Sequence, residues 1–499
     1  MGDVVSGGRN AAPGKGLKKD ALSFVSNVTI AISSTSPAYS IAATLGPIVG
    51  FAALQTPAIM VLAFIPMLFI AMACYHMNRA DPDCGTTFAW VTRSMGPGAG
   101  WMGGWSIIVT NILVMPSLAD ISGRYSFRLF GIDDPSAVHV ALAGVAWIVV
   151  LTAICYLGIA LSAKTQQLLL IAELVILLVF AAVALGQVYL GHPPVDSRPV
   201  SPDWFNPFRI ETVSRFTEAM VLAVFIYWGW DSCISVNEET RDPHIAPGQA
   251  AIVSTVILVS LYALVAVAAV SVAGPSLFAQ NGSDVLAPLG QAVLGPSLGK
   301  ILVLAVLTSS VASTQTSILP AARMALSMAH AGAIPDHFGR VHPRHLSPGV
   351  ATLTMGAVSI VWYVGMTILS ADVLADSITA LGLVIAFYYG LTGLACVVFY
   401  RREIVGSLAS FVSMGVIPAT GSAIMFLLLI KSCFAPGEAT TSQISVFGVG
   451  GPVIIGLGAV LTGFLLMLWA RHGLPNFFRR RPEVFSAASR PDRPADPAL

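Results

Sequence analysis

Two acidic residues stand in otherwise apolar sequence. Asp231 lies in Phe225–Thr240, "FIYWGWDSCISVNEET", two residues after Gly229. Glu173 lies in "TQQLLLIAELVILLVF", nine residues past Lys164 and so ~14 Å along a helix from it. An ionisable side chain in a membrane interior costs several kcal/mol and is a functional candidate by default. Asp231 could pair with a substrate ammonium or a cation, or hold a proton. Its structural alternative is to cap a restarted helix with its carboxylate. Glu173 could carry a proton or, with carbonyls and hydroxyls, coordinate Na⁺. Its structural alternative is a buried hydrogen bond to a neighbouring helix. Asp120, in "NILVMPSLADISG", is placed to pair with Arg124 one turn on. Glu218 falls near the start of its segment, at the interface.

The backbone offers a second chemistry. "VTIAISSTSPAYSIAATLG" puts Ser33, Ser34, Thr35, Ser36 and Pro37 in the middle of an apolar stretch. Proline has no amide proton and clashes with the preceding turn, so a helix breaks or kinks there. Tyr227-Trp228-Gly229-Trp230-Asp231 interrupts another stretch. A broken helix exposes amide protons on one half and carbonyls on the other. The amide end favours an anionic group; the carbonyl end favours an ammonium or a metal cation. Two such breaks side by side suit a zwitterion such as an amino acid. Phe225, Tyr227, Trp228 and Trp230 surround the second break, and an aromatic face can hold an ammonium. Asn111 is a mid-segment amide, suited to a substrate contact or a helix–helix hydrogen bond. "TSSVASTQTS", Thr308–Ser317, is seven-tenths Ser and Thr. It reads either as a close-packing surface or as a hydroxyl lining for a cation through Ser313 or Thr314. The coupling ion, H⁺ or Na⁺, stays open.

The surrounding elements are set by composition. The 499 residues are 56% hydrophobic and 10% charged, against about 25% charged in soluble proteins. The fold class is an all-α polytopic membrane protein. Spanning takes ~20 apolar residues, and twelve stretches qualify: Ala21–Val49, Gln55–Met77, Gly98–Phe127, Val138–Leu157, Lys164–Tyr189, Val213–Val236, Gln249–Ala273, Ser297–Ala329, Gly349–Leu369, Val373–Phe399, Leu408–Lys431 and Val446–Ala470. Barrel strands would alternate apolar and polar, and these do not. The breaks fall in the first and sixth stretches. Paired interruptions in corresponding places of two halves point to the midplane site of a secondary transporter. With the N-terminus inside, cytoplasmic segments hold 19 of the 26 Lys and Arg, Arg323 among them, so both termini are expected in the cytoplasm. Residues 1–20 read as a cytoplasmic tail and 471–499 as a disordered one. The net charge of +1 gives no sign of a nucleic-acid partner, and the six cysteines suggest no disulfide framework. Neither H-E-x-x-H nor a P-loop is present, and "GPSLGKI" has the wrong spacing for the latter. Neither an enzyme nor a primary pump is expected, nor a cofactor or metal.

Several motifs carry a family resemblance. "FIYWGWDSCISVNEETRDP" resembles the sixth-helix signature of the amino acid–polyamine–organocation (APC) permeases, through Tyr227, Gly229, Trp230, Asp231, Glu238, Glu239, Arg241, Asp242 and Pro243. "CGTTFAWVTRSMGPGAGWMGGW" and "ARMALSMAHAGAIPDHFGRVHPRHLSP" resemble the family's third-helix and eighth-helix regions. The resemblance implies the LeuT-type fold: inverted five-helix repeats over 21–190 and 213–399, broken helices 1 and 6, then helices 11 and 12 over 408–470. It implies a multi-pass transporter of the cell membrane, embedded in lipid, moving amino acids by alternating access, with proton-coupled import as the leading expectation. A polyamine or amine transporter, or an amino acid exchanger, is the alternative. Phe225 falls where some relatives carry a gating aromatic, and Asn111 where some carry a substrate-contacting asparagine. Many relatives resemble S-A-R-F-N…I-K in helix 5, with a lysine linked to proton coupling at a position resembling a sodium site. Counting from Ser162 lands on Glu173, which reverses that charge. The first-helix break departs from the family's glycine-rich G-S-G-I-F; here it is Ser-Ser-Thr-Ser-Pro-Ala-Tyr.

Overall fold

The computed structural model describes residues 15–190, 196–282, 284–369, 373–433, 445–446 and 449–479. Residues 1–14 of the expected N-terminal tail and 480–499 of the expected C-terminal tail lie outside the described residues. The first half carries α1 (Phe24–Thr35), α2 (Pro37–Ala52), α3 (Thr56–Ala80), α4 (Thr86–Met95), α5 (Pro97–Leu113), α6 (Met115–Leu129), α7 (Ala137–Leu157) and α8 (Ile159–Tyr189). The second carries α9 (Val213–Ile226), a 3₁₀ segment (Trp230–Glu239), α10 (Ala246–Val272), α11 (Pro275–Asn281), α12 (Leu286–Leu298), α13 (Lys300–His330), α14 (Gly349–Leu369) and α15 (Val373–Phe399). Then follow α16 (Leu408–Ser410), α17 (Ile417–Cys433), α18 (Gly451–Gly473) and α19 (Pro475–Phe478). A two-residue antiparallel pair, Ser445–Val446 with Val449–Gly450, precedes α18.

Eleven apolar helical segments are long enough to cross a membrane among the described residues, against the twelve expected. The first, Phe24–Ala80, has 57 residues, about 85 Å of helix against a core of about 30 Å. It is not one rod. Ser36 is left-handed (φ 53°, ψ 63°), and Ala53 again leaves helical geometry (φ 48°, ψ −125°). The residue before a proline avoids right-handed helix, so α1 stops at Thr35 and Pro37 opens α2. The faces turned away from the bundle stay apolar: on α8, Leu168, Ile171, Val175 and Leu178 are all exposed, as a lipid-facing surface requires.

Charged groups at one end tie the bundle together. The Lys15 ammonium lies 2.7 Å from Asp83 and 2.6 Å from Glu238, joining the N-terminal segment, the α3–α4 loop and the 3₁₀ segment. Asp83 also accepts from Ser327 of α13 at 2.7 Å. The Cys84 thiol completes a cluster of metal-ligand types within 4.8 Å, and the ammonium already sits among them. Burial works against the charge on Lys15. The Cys84 sulfur and the Asp83 and Glu238 carboxylates outweigh it and hold the lysine above its usual range. Burial likewise opposes the Asp83 carboxylate, and Lys15 outweighs it and lowers its pKa. Asp83 therefore contributes stability above the ordinary carboxylate range, lost as the pH falls through its lowered folded pKa. The Lys15 contribution is present below the ordinary lysine range and lost only as the pH rises through its higher folded pKa. Lys15→Met leaves two carboxylates facing each other. The expected cost is on the order of 1–2 kcal/mol, discounted from a fully buried pair. Cys84 is buried; in a background with the other cysteines replaced, its maleimide labelling should speed up about 5- to 30-fold.

One charge changes role. Arg323, counted above as a cytoplasmic loop charge, is buried in α13 and bonded to Glu239 at 2.5 Å. It carries no weight in the topology argument. Without it, eighteen of the nineteen remain against seven, and the bias stands.

Candidate functional site

The two breaks meet. α1 packs on the 3₁₀ segment and α2 packs on α9, so the broken elements lie side by side. Gly229 has φ 115° and presses on the Ser34 carbonyl; a Cβ there would sit 2.6 Å from that oxygen. The Ser34 and Ser232 hydroxyls are 2.7 Å apart, across the two breaks. Ser313 of α13 donates to the Ser34 carbonyl at 3.1 Å.

Glu173 of α8 reaches this junction. Its Oε1 accepts from the Ala38 amide at 2.7 Å and from the Ser309 hydroxyl at 2.8 Å. Ala38 is the second residue of α2, so a carboxylate sits at a helix N-terminus, where the dipole favours it. Oε2 is buried without a hydrogen-bond partner. Ser36 meets the same Ser309 at 2.9 Å. Towards the start of α8 the buried face is mixed: Leu170, then Gln166 and Ser162 beside Ala163 and Ile159, and Gln315 of α13 donates to Ser162 at 2.7 Å. Beyond Glu173 it is apolar at Ile176, Leu177 and Phe180.

Asp231 is bonded across to a neighbouring helix. Its two carboxylate oxygens accept from the Tyr388 and Tyr389 phenols of α15, at 3.1 and 2.9 Å. Gly229 holds the N-cap position of the 3₁₀ segment, with no side-chain cap bond. The Trp228 indole donates to the Tyr388 oxygen at 2.5 Å, and Trp230 stacks on Tyr389.

The other candidates are placed less centrally. The Thr35 hydroxyl folds back on Ile32, and the buried Ser33 hydroxyl has no partner. Asn111 and Thr314 bond back to carbonyls of their own helices. Tyr227 bonds to the Met60 carbonyl of α3 and packs edge-on against Tyr262; Phe225 is buried in the core. Asp120 pairs with Arg124 at 2.7 Å, as its spacing implied, and Glu218 is exposed. At the opposite end from Lys15, Asp284 joins Tyr125 and Arg128 of α6 beside a separate cavity of about 560 Å³.

A profile of the amino acid permease family matches residues 22–469, most of the chain. The chain belongs to the amino acid permease family. It is a multi-pass membrane transporter and not an enzyme. The permease is 27% identical over 291 residues to an uncharacterized transporter of Mycobacterium tuberculosis, covering 58% of this chain and 61% of that one. It is 26% identical over 314 residues to the branched-chain amino acid permease BcaP of Bacillus subtilis, covering 60% and 65%. It is 22% identical over 349 residues to the low-affinity putrescine importer PlaP of Escherichia coli, covering 69% and 74%. The chain spans a little over three fifths of the length of the Mycobacterium and Bacillus relatives.

Three residues of the permease's site escaped the sequence reading. Ser309, not Ser313 or Thr314, is the α13 hydroxyl on Glu173. Tyr388 and Tyr389 hold Asp231; the one available signal was the adjacent tyrosine pair in the apolar run "LVIAFYYGLTG".

Proposed function

We propose that this permease is a secondary active transporter of the cell membrane that imports amino acids together with protons by alternating access. The reading takes the fold as twelve crossings in two inverted five-helix repeats, with both termini cytoplasmic. The 57-residue first segment then counts as two crossings, turning at Ala53. The observation that carries the reading is Glu173. It is a buried acid at the junction of the broken helices, with one carboxylate oxygen bonded and the other unpartnered. It can hold a proton on Oε2 without giving up an existing bond.

A second reading, transport of an amine such as a polyamine, is favoured by Asp231. No basic side chain pairs with that carboxylate among the described residues, and an ammonium would complete it. The putrescine importer among the relatives is in keeping with this.

The test is uptake into proteoliposomes from a panel of labelled amino acids and polyamines, under an inward proton or sodium gradient. The expected result is proton-driven accumulation of a neutral amino acid. Glu173→Gln should abolish accumulation while sparing exchange. Transport of polyamines alone, lost in Asp231→Asn, would install the second reading. Uptake indifferent to both gradients would remove coupling altogether.

A further inference from the structure

The amides around the first break are almost fully spoken for. The Ser36 amide bonds to Ile32 and the Ser40 amide to Ser36. Pro37 has none. The Tyr39 amide takes the Ser309 hydroxyl at 3.2 Å. That leaves Ala38, whose amide is held at 2.7 Å by Glu173. The anion that a broken helix invites is thus supplied by the protein. The hydroxyls repeat the pattern: Ser34, Thr35 and Ser36 are bonded within the protein, and only Ser33 is left buried and unpartnered among these four.

We infer that Glu173 competes with the substrate's carboxylate for the Ala38 amide, and that protonation of Glu173 is what admits the substrate. This deepens the proton-coupled reading above and rests on it. Two carboxylates sharing one amide end repel, and one must be neutralised. A proton from hydronium binds Glu173 Oε2: one O–H bond of hydronium breaks, releasing water, and one forms on the carboxylate, leaving a neutral acid. Ala38 N–H then exchanges Oε1 for an oxygen of the substrate carboxylate. No other covalent change occurs. On release the steps reverse: the proton returns to water, and the Glu173 carboxylate retakes the amide and expels the substrate. Coupling follows from occupancy of a single donor, with no need for a distant relay.

The groups facing Glu173 fit this role. α1 and α2 present hydroxyls and amides, α13 presents Ser309, and α10 presents the Tyr262 phenol within electrostatic reach. Among the described residues, no basic side chain forms an ion pair with it. A fixed cation there would hold the carboxylate ionised and keep the amide blocked.

The experiment uses purified, full-length permease and labelled leucine, with 3-methylbutylamine (leucine without its carboxylate) as the matched probe. Leucine affinity is measured from pH 5 to 9.5, so that the range extends to where Glu173 is ionised in the free protein, and proton uptake on leucine addition is followed with an indicator dye. Where one proton is bound with each leucine, Kd should fall about tenfold per unit of acidification. One proton should be taken up per leucine. Glu173→Gln should bind leucine with no such slope and no proton uptake. The amine should lack the slope in the wild type, because it does not need the Ala38 amide. Ser309→Ala removes one donor from the Glu173 carboxylate and favours its protonated form, so leucine binding should persist to higher pH. A pH-independent leucine affinity in the wild type, or an equal slope for the amine, overturns the competition; so does a failure to bind leucine at any pH. If proton-driven uptake survives Glu173→Gln, the carrier assignment itself has failed, and that result is separate from the binding slopes.

Discussion

Gly229→Ala should abolish transport while leaving a folded but less stable protein. A Cβ at this position would lie 2.6 Å from the Ser34 carbonyl oxygen and 2.8 Å from its carbon, closer than real contacts allow. Both neighbours are backbone, so no side chain can swing aside. The local geometry adds to this, since φ is 115°, where residues with side chains are strained. Such strain costs about 1–3 kcal/mol, and separating α1 from the 3₁₀ segment also breaks the Ser34–Ser232 contact. A coupling of this size shifts a two-state equilibrium roughly 5- to 150-fold. Uptake is expected to fall to background before folding fails. Gly50→Ala is the matched control. It lies in α2 with nothing within 4 Å of its added Cβ, and helical alanine is slightly favoured over glycine. Equal activity of the two variants would mean that the close approach of the breaks is incidental.

What could be read from the sequence were the residues whose chemistry acts on their own backbone or solvation. Pro37, amid four hydroxyl residues, and Gly229, beside an acid, marked candidate breaks, and both breaks are present, whereas Pro47, Pro66 and Pro320 sit inside continuous helices. Glu173 declares itself because an acid in "LLLIAELVILLVF" must find donors or a proton. The partners were not legible. Asp231 meets tyrosines 157 and 158 residues away, and only the packing of α15 on the second break brings them together. Lys15 looked like a solvated tail charge, since nothing nearby in sequence shows two carboxylates converging on it. The Ser36 conformation was missed for a related reason. Pro37 implied a break or a kink, and the left-handed serine before it makes it a break into two separate helices. The seven hydroxyls of Thr308–Ser317 gave too many candidates, because helical spacing alone does not say which one faces α8.

Arg323→Met should destabilise the permease by about 3–5 kcal/mol, the cost of stranding a buried charge. The Arg323–Glu239 pair has side chains only 2% and 0% exposed, with Nε 2.5 Å from Oε2. Arg323 also donates to the Leu319 carbonyl, while Glu239 Oε1 has no partner. Removing the guanidinium therefore leaves a carboxylate with neither water nor a donor on its side chain. The loss need not mean that the pair is a large net stabiliser. Desolvating two charges consumes much of what their attraction returns, so an apolar or neutral pair of similar volume is often as stable. Arg323→Met combined with Glu239→Gln should accordingly recover most of the deficit. That non-additivity is the signature to measure, by unfolding in detergent across the double-mutant cycle. If the single variant is as stable as wild type, the pair is hydrated in solution and the burial argument fails. If the double variant is no better than the single, the deficit comes from lost packing of the arginine stem. The pair joins α13 to the 3₁₀ segment that carries Asp231, so the recovered double variant also has a functional use. With stability restored, any remaining loss of uptake reports what the ion pair does for the positioning of the second break.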